Sequence, residues 1–523
     1  MVVLYILLFI LILGLVVCFH EFGHFFFARK AGILVNEFAF GMGPKLWSKK
    51  KGETYYSIRA FPIGGFCAMA GEEASNPPIK ENDEVKLVFN PEGKVTKIIL
   101  KTDDPRFKDL PVTKVEKADL FGKDMAPLYI NEFEVLRDAT LVISKKDEMQ
   151  IAPEERNFSS KTVWQRLLVS FGGPLNNIIL ALVVFMVMSF IVGVAKSDSS
   201  VVGAVTEDSP SYSLLEEGDE ITNIGDYSIS TFEDISLAIY GTEDRTLPIT
   251  FLRDGESFTV NIEAYYAFNS LGISSEDGSG EVVSIICETD AALGGTNKTK
   301  AYQDGGLRNG DIITGIIYNG VTYEINSWDE LYRLVTDTID GGNVTILYER
   351  DSESLTSNPY EVYSNELLSS QGYSSAYKQI GISAERTIKF FPCLLNGLKY
   401  FWSSATIIFS TLGLLLTSKE VGVSDLGGFI TILNQTATYA SGGFTSLLYF
   451  IGLLSVNLAI INLLPIPALD GGRILFILVE GVTHKKVNPK VETIIENIVF
   501  WLLMAFIGYV LIQDVFRLII QLQ

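Results

Sequence analysis

The chain has 523 residues, 48% of them hydrophobic, with a mean hydropathy of +0.27 and several long uncharged runs. That composition excludes a disordered or wholly soluble chain and points to an integral membrane protein with room for three or more domains. Net charge is −21, but 33 acidic and 8 basic residues between Ser197 and Glu385 hold −25 of it, so the remainder, at +4, lacks the basic footprint that nucleic-acid binding needs.

The first apolar run, Val3 to Ala28, is long enough to span a bilayer. Its only strongly polar side chains are His20, Glu21 and His24, and one other histidine, His484, exists in the protein. Helical residues four apart share a face, so this H-E-x-x-H pattern can set two imidazoles on one zinc ion with Glu21 beside it as general base. A charge at membrane depth costs roughly 2.5 kcal/mol or more, which makes function the default reading. Two histidines capping or pairing near a helix end is the structural alternative. The run lacks a basic n-region and carries the motif itself, so no cleavable signal peptide is expected. Arg29, Lys30, Lys45 and Lys49 to Lys51 follow, which places the motif on the cytosolic side and the N-terminus outside.

Phe38 to Phe40 and Tyr55 to Phe61, punctuated by Gly41, Gly43, Pro44, Pro62, Gly64 and Gly65, predict short strands and turns near the membrane. Phe66 to Ala70 is apolar enough to dip into it. This completes a first segment, 1–71. Residues 72–160 read as a cytosolic β-rich module, with strands at Val95 to Leu100 and Ala139 to Ser144. Residues 161–196 hold a second span, Ile178 to Val194. Its inner end, Gly172-Gly173-Pro174-Leu175-Asn176-Asn177, is too polar and too broken for lipid and is expected to face the site.

The acidic block is extracytoplasmic in this topology and contains a repeat, Leu215 to Ile224 matching Leu307 to Ile316 at an offset of 92. Each copy leads into a helix, from Thr231 and from Ser327, and then a strand, Leu247 to Leu252 and Asn343 to Tyr348. Each closes on a related tripeptide, Leu271-Gly272-Ile273 and Ile380-Gly381-Ile382. This order resembles a PDZ domain twice over, at 197–275 and 276–385, although Leu214 stands where the second copy has Gly306. Spacers or a steric cover are the alternative to peptide binding.

Residues 386–443 include an uncharged run, Phe401 to Ser418. The next span, Phe444 to Leu464 within 444–490, is followed by Lys485, Lys486 and Lys490 and must run inward, so Thr387 to Ser418 reads as interfacial or re-entrant helices. A fourth span, Ile494 to Ile512 within 491–523, returns the C-terminus outward. Cys18, Cys67, Cys287 and Cys393 show neither zinc-ribbon nor disulfide spacing.

A hydrolytic zinc takes three protein ligands and keeps a place for water. The best candidate for the third is Asp470, within Asn462-Leu463-Leu464-Pro465-Ile466-Pro467-Ala468-Leu469-Asp470-Gly471-Gly472, where prolines, an acid and glycines interrupt an apolar span. A helix-ending Pro-x-Pro with Asp470 as the next N-cap is the structural alternative.

Together, His20 to His24, Pro62 to Phe66, Gly173 to Asn177 and Asn462 to Gly472 resemble the site-2 protease family of intramembrane zinc metalloproteases. The PDZ-containing bacterial members are the nearest likeness, and Gln150 to Pro153 and Lys161 to Arg166 are similar to Gram-positive ones. The resemblance implies a polytopic α-helical protein of the bacterial plasma membrane, with four transmembrane helices, a membrane-associated β-loop and tandem extracytoplasmic PDZ-like α+β domains. It implies one zinc ion on His20, His24 and Asp470, Glu21 as base, and substrate-positioning roles for Asn462, Asn177, Gly64 and Gly65. Asp425-Leu426-Gly427-Gly428-Phe429 departs from the family's Gly-Pro. The implied reaction is hydrolysis of a peptide bond in or near a membrane protein's transmembrane segment. Anti-sigma factors or remnant signal peptides, already shortened by a site-1 type protease, are the implied substrates. The loop from Tyr55 to Phe66 is expected to pair with the unwound substrate. Two rival readings are a membrane-anchored peptidase for soluble peptides and a non-catalytic PDZ scaffold or chaperone.

Overall fold

The computed structural model describes residues 2–72, 79–144, 147–196, 198–207, 209–242, 244–275, 283–287, 299–370, 373–417, 428–485 and 487–522. They pack as two compact units, residues 1–185 with 426–516, and residues 186–425 with 517–523.

Helix α1 (Val2–Lys30) leads into β1 (Val35–Lys51) and β2 (Thr54–Met69). These strands are longer than the alternation predicts, because each doubles back and serves twice. Residues 35–40 pair with 65–69 on one side, Phe40 opposite Gly65, and with 55–58 on the other, Phe38 opposite Tyr56. Residues 45–51 pair with 54–59, Lys45 opposite Arg59. The result is a four-ply sheet ordered 45–51, 54–59, 35–40, 65–69. The reversals use Gly41, Gly43 and Gly64, at φ of +82°, +83° and +84°, which only glycine adopts freely. Glu37 ties the inner plies by accepting from the Ser57 hydroxyl and from Arg59 at 2.7 Å. Burial opposes its ionisation, yet those hydrogen bonds hold its carboxyl below the usual range.

The module after the hairpin comprises β3 (Glu84–Phe89), β4 (Val95–Ile99), β5 (Val112–Lys114), β6 (Ala118–Asp119), β7 (Leu128–Ile130), β8 (Phe133–Ser144) and β9 (Asp147–Gln150). They form one sheet, ordered β5-β3-β4-β8-β7-β6, with β9 added to β8. Both strands read from the sequence are present, as β4 and the end of β8, and they pair in parallel, Ile98 opposite Leu141. The module is stitched to the first segment by Leu34 N–H to Arg156 O at 2.9 Å and Phe158 N–H to Ala70 O at 2.8 Å.

Helix α2 (Val163–Val192) runs unbroken through Pro174, so the segment read as broken is helical. Its glycines answer a different need. A Cβ on Gly23 of α1 would sit 1.9 Å from Gly172 O, and one on Gly172 would sit 2.7 Å from Gly23 O. The two backbones touch there as only small residues allow.

In the second unit, β10 (Val194–Ala195) precedes the first repeat copy. That copy gives β11 (Val202–Val205), β12 (Glu220–Ile224), β13 (Tyr227–Ser228), α3 (Phe232–Gly241), β14 (Thr246–Arg253) and β15 (Glu256–Glu263). After β16 (Tyr265–Phe268) and β17 (Ile273–Ser275), the second copy gives β18 (Ile285–Ile286), α4 (Lys300–Gln303), β19 (Ile312–Tyr318), β20 (Val321–Glu324), α5 (Trp328–Asp337), β21 (Asn343–Arg350) and β22 (Glu353–Thr356). β23 (Tyr360–Glu361), α6 (Asn365–Ser370), β24 (Tyr377–Gln379), β25 (Ile382–Ala384), β26 (Arg386–Thr387) and α7 (Phe390–Thr417) follow. Thr231 and Ser327 cap α3 and α5 through their side chains, at the helix starts read from the sequence. In each copy the Gly-Asp aspartate is buried and gripped by an arginine, Asp219 by Arg253 and Asp311 by Arg350, at 2.7 and 2.8 Å in both.

The copies interleave. β17 follows the first copy but pairs with β18 of the second, whereas β25 follows the second but pairs with β11 of the first. Strand pairing therefore crosses the division at 275 and 276 in both directions. β17 also pairs with β16, which pairs in turn with β24.

The segment read as interfacial or re-entrant helices is one continuous helix, α7, so the chain does not reverse within it. Ser418, Asp425-Leu426-Gly427 and Lys486 lie outside the described residues. The chain then returns to the first unit with α8 (Phe429–Ser441), α9 (Phe444–Leu463), α10 (Asp470–Thr483) and α11 (Pro489–Leu522). Arg166 of α2 holds Glu480 of α10 with two bonds of 3.0 and 2.6 Å. Among the described residues, α1, α2, α9 and Val491–Val515 of α11 are long and apolar enough to cross a membrane, the four spans the sequence predicts. The protein is a polytopic membrane protein carrying a large β-rich part.

Candidate metal centre

Helical periodicity puts His20 and His24 on one face of α1, and both are buried. Their Nε2 atoms lie 3.3 Å apart. Each faces Asp470 Oδ2, at 3.1 Å from His20 and 3.4 Å from His24. Among the described residues no other group of three His, Cys, Asp or Glu converges in this way.

Asp470 arrives there because α9 ends at Leu463 and the chain turns sharply before α10 begins. Pro465 and Pro467 withhold backbone donors, and Ala468 takes φ of +79°, uncommon for a residue with a Cβ. Gly471 and Gly472 fit beneath the turn, where added Cβ atoms would lie 2.1 Å from Leu464 O and 2.4 Å from Ile466 O. The interruption of the span thus aims one carboxylate at two imidazoles.

Each ring is oriented from behind. His24 Nδ1–H donates to Val169 O at 2.8 Å, which leaves a lone pair on Nε2. His20 Nδ1 lies 3.3 Å from Asn177 Nδ2, while the buried Asn177 Oδ1 has no hydrogen-bond partner. A half-turn of that amide brings Oδ1 to His20, where it accepts from Nδ1–H and frees His20 Nε2. Asp470 Oδ2 is likewise buried without a hydrogen-bond donor. Two imidazole lone pairs and an orphaned carboxylate oxygen suit Zn²⁺, and three donors leave one position open.

In front of this set lies a cavity of about 670 Å³, bordered by Glu21, Gly64, Gly65 and Asn462. A Cβ on Gly65 would meet Ala39 O at 2.9 Å and Glu21 Cγ at 3.3 Å, so the sheet ply lies directly against Glu21. Asn462 Nδ2 is 3.3 Å from His20 Nε2. Asn177 is different: it is fully buried behind His20, and its carbonyl accepts from Ser455 Oγ at 2.8 Å. The structure thus brings all eight residues named from the sequence to one place, with Asn177 behind His20 rather than on the cavity wall.

Sequence reasoning missed Val169, Ser455, Glu72 and Arg473. Glu72 and Arg473 pair on the cavity wall. Their signal was available, since Arg473 sits three residues after Asp470 on the same helix and Glu72 ends an apolar stretch. Val169 acts through a carbonyl, which side-chain identity does not report. Gly173 is required for space, because a Cβ there would lie 2.3 Å from His24 Nε2.

The profile described as Peptidase family M50 matches residues 8–506. The chain belongs to that family, the site-2 protease class of intramembrane zinc metallopeptidases. Proteins named zinc metalloprotease RasP are similar to it along nearly their whole length. The one from Shouchella clausii is 31% identical over 526 residues, 98% of this chain and 99% of that one. Those from Bacillus licheniformis and Oceanobacillus iheyensis are 30% and 29% identical over 518 and 520 residues, with 98% of both chains covered in each case.

Proposed function

We propose that this enzyme cuts peptide bonds within or beside the transmembrane segments of other membrane proteins, with His20, His24 and Asp470 holding one zinc ion and Glu21 serving as base. The convergence of His20 Nε2, His24 Nε2 and Asp470 Oδ2 supports this reading most directly. Zinc held by those donors supplies a positive centre that polarises the scissile carbonyl and eases ionisation of water near neutral pH. Glu21 takes the proton from the attacking water and returns it to the leaving amine. Val169 O and Asn177 hold the two rings in register, and Asn462, Gly64 and Gly65 border the space left for the scissile bond.

A helical substrate must unwind to expose that bond, and its freed N–H and C=O groups then need partners. Residues 54–59 are flanked on both sides by other plies, and of the two outer plies it is 65–69 that lies beside Glu21. An extended substrate adds to that edge as a further strand.

In this reading the N-terminus and the tandem PDZ-like domains are extracytoplasmic, while the site and residues 72–160 lie toward the cytosol. Among the described residues β17 has β16 on one side and β18 on the other, so it offers no free edge to a peptide. That favours a steric gate over peptide capture. A gate of this kind admits remnants already shortened by a site-1 type protease, such as anti-sigma factors or signal peptides.

Glu21→Gln tests the assignment in the full chain, reconstituted in vesicles with a transmembrane reporter. Metal content should stay at the wild-type level while cleavage falls by about 10²–10⁴-fold. Undiminished cleavage would overturn the role of Glu21, and cuts mapped only to soluble peptides would support the membrane-anchored alternative.

A further inference from the structure

A second cavity, also of about 670 Å³, lies between the end of β2 and the seven-stranded sheet, and it shares Ala68, Met69 and Glu72 with the cavity at the metal centre. The ply 65–69 therefore runs along the first cavity and ends in the second. Met69, Leu120, Phe121, Leu141 and Met149 give the second an apolar wall. Asn36 Oδ1 on its border is a buried acceptor with no hydrogen-bond partner. Among the described residues its charged side chains are Glu72 and Asp119, and no lysine, arginine or histidine lines it. A buried acceptor without a donor costs about 1–3 kcal/mol, and a main-chain N–H entering the cavity supplies that donor.

We propose that this second cavity is a binding site for an extended, non-acidic stretch of the substrate chain flanking the scissile bond. The proposal rests on the reading that substrate adds to the 65–69 edge. A strand laid on that edge continues past Met69 into the cavity, its apolar side chains against Phe121 and Met149. Glu72 is paired with Arg473, so it is Asp119 that disfavours Asp and Glu and tolerates Lys or Arg, the residues that flank membrane spans on the cytosolic side. The cytosolic module thereby selects substrates by the residues just outside their membrane segment.

The test uses the full-length enzyme in vesicles and a transmembrane substrate shortened residue by residue from either side of its cut site. Wild type should lose kcat/KM stepwise from one side only, and glutamates placed on that side should lower cleavage where lysines do not. In Asn36→Leu the preference for long over short substrates should shrink about tenfold, the scale of one hydrogen bond to a buried acceptor. An unchanged preference would overturn the proposal. A photo-crosslinking amino acid at Phe121 in the Glu21→Gln background should capture substrate residues on that same side of the cut, and its failure to do so also counts against the cavity. Absence of wild-type cleavage on any substrate would count against the peptidase reading, while the crosslink, which needs no cleavage, still decides the cavity.

Discussion

Gly173 leaves little tolerance beside the two imidazoles. Its hydrogen faces the two imidazoles, and a methyl in its place would also lie 2.7 Å from His20 Cε1. Gly173→Ala should cost about 1–3 kcal/mol through overpacking. By displacing the rings on the order of 1 Å it should lower cleavage about 10²-fold. Gly508→Ala, where nothing lies within 4 Å, should leave cleavage and thermal stability as they are. Equal behaviour of the two variants in both measurements would refute the packing account. At this scale the spacing of four between His20 and His24 was fully legible, because helical geometry alone puts them together. The break around Asp470 was legible too, since prolines and glycines have no other business inside an apolar run. Asn177 was found but misplaced, and Val169 was not found, because a backbone acceptor can be any residue.

The hairpin gathers its importance in a five-residue ply. Residues 65–69 carry backbone groups toward 35–40 on one side and an open edge on the other, so successive residues there should differ in their tolerance of proline. A proline scan of 65–69 should split into two classes. Positions whose N–H faces 35–40 should lose both stability and activity, and positions whose N–H faces outward should lose cleavage of membrane substrates by about tenfold or more while staying folded. Lys49→Pro, on the opposite outer ply, should cleave normally. Cleavage that survives proline at every outward position would rule out strand addition. Alternation and turn residues announced strands here, but not that each would fold back on itself. Which ply becomes the edge depends on pairings between residues far apart in the chain, and aromatics at Tyr55 to Phe61 drew attention to an inner ply instead.

For the whole molecule, the interleaved copies bring the ends of the acidic block together. Val202 lies opposite Ala384, and Val194 opposite Thr387. Residues 201–384 can therefore be replaced by a short linker without pulling on α2 or α7. If the block is a gate, the shortened enzyme should cleave substrates bearing folded external domains that the intact enzyme rejects, as read by product formation in cells. An identical size limit in both enzymes would exclude the gate. The repeat, its caps at Thr231 and Ser327 and its four flanking spans were legible from local patterns. The exchange of closing strands between copies was not, since Leu271-Gly272-Ile273 and Ile380-Gly381-Ile382 look alike and either could have closed the copy it follows.

One distance along the chain also fixes a moment in time. Asp470 is made 446 residues after His24, which at ribosomal rates of about 5–20 residues per second is roughly 22 to 90 seconds. Until then His20 and His24 have α2 behind them, through Val169 and Asn177, but lack the carboxylate that the finished chain sets against both. If Asp470 is the third ligand, as proposed, a nascent or prematurely ended chain has no complete centre until nearly the whole molecule exists.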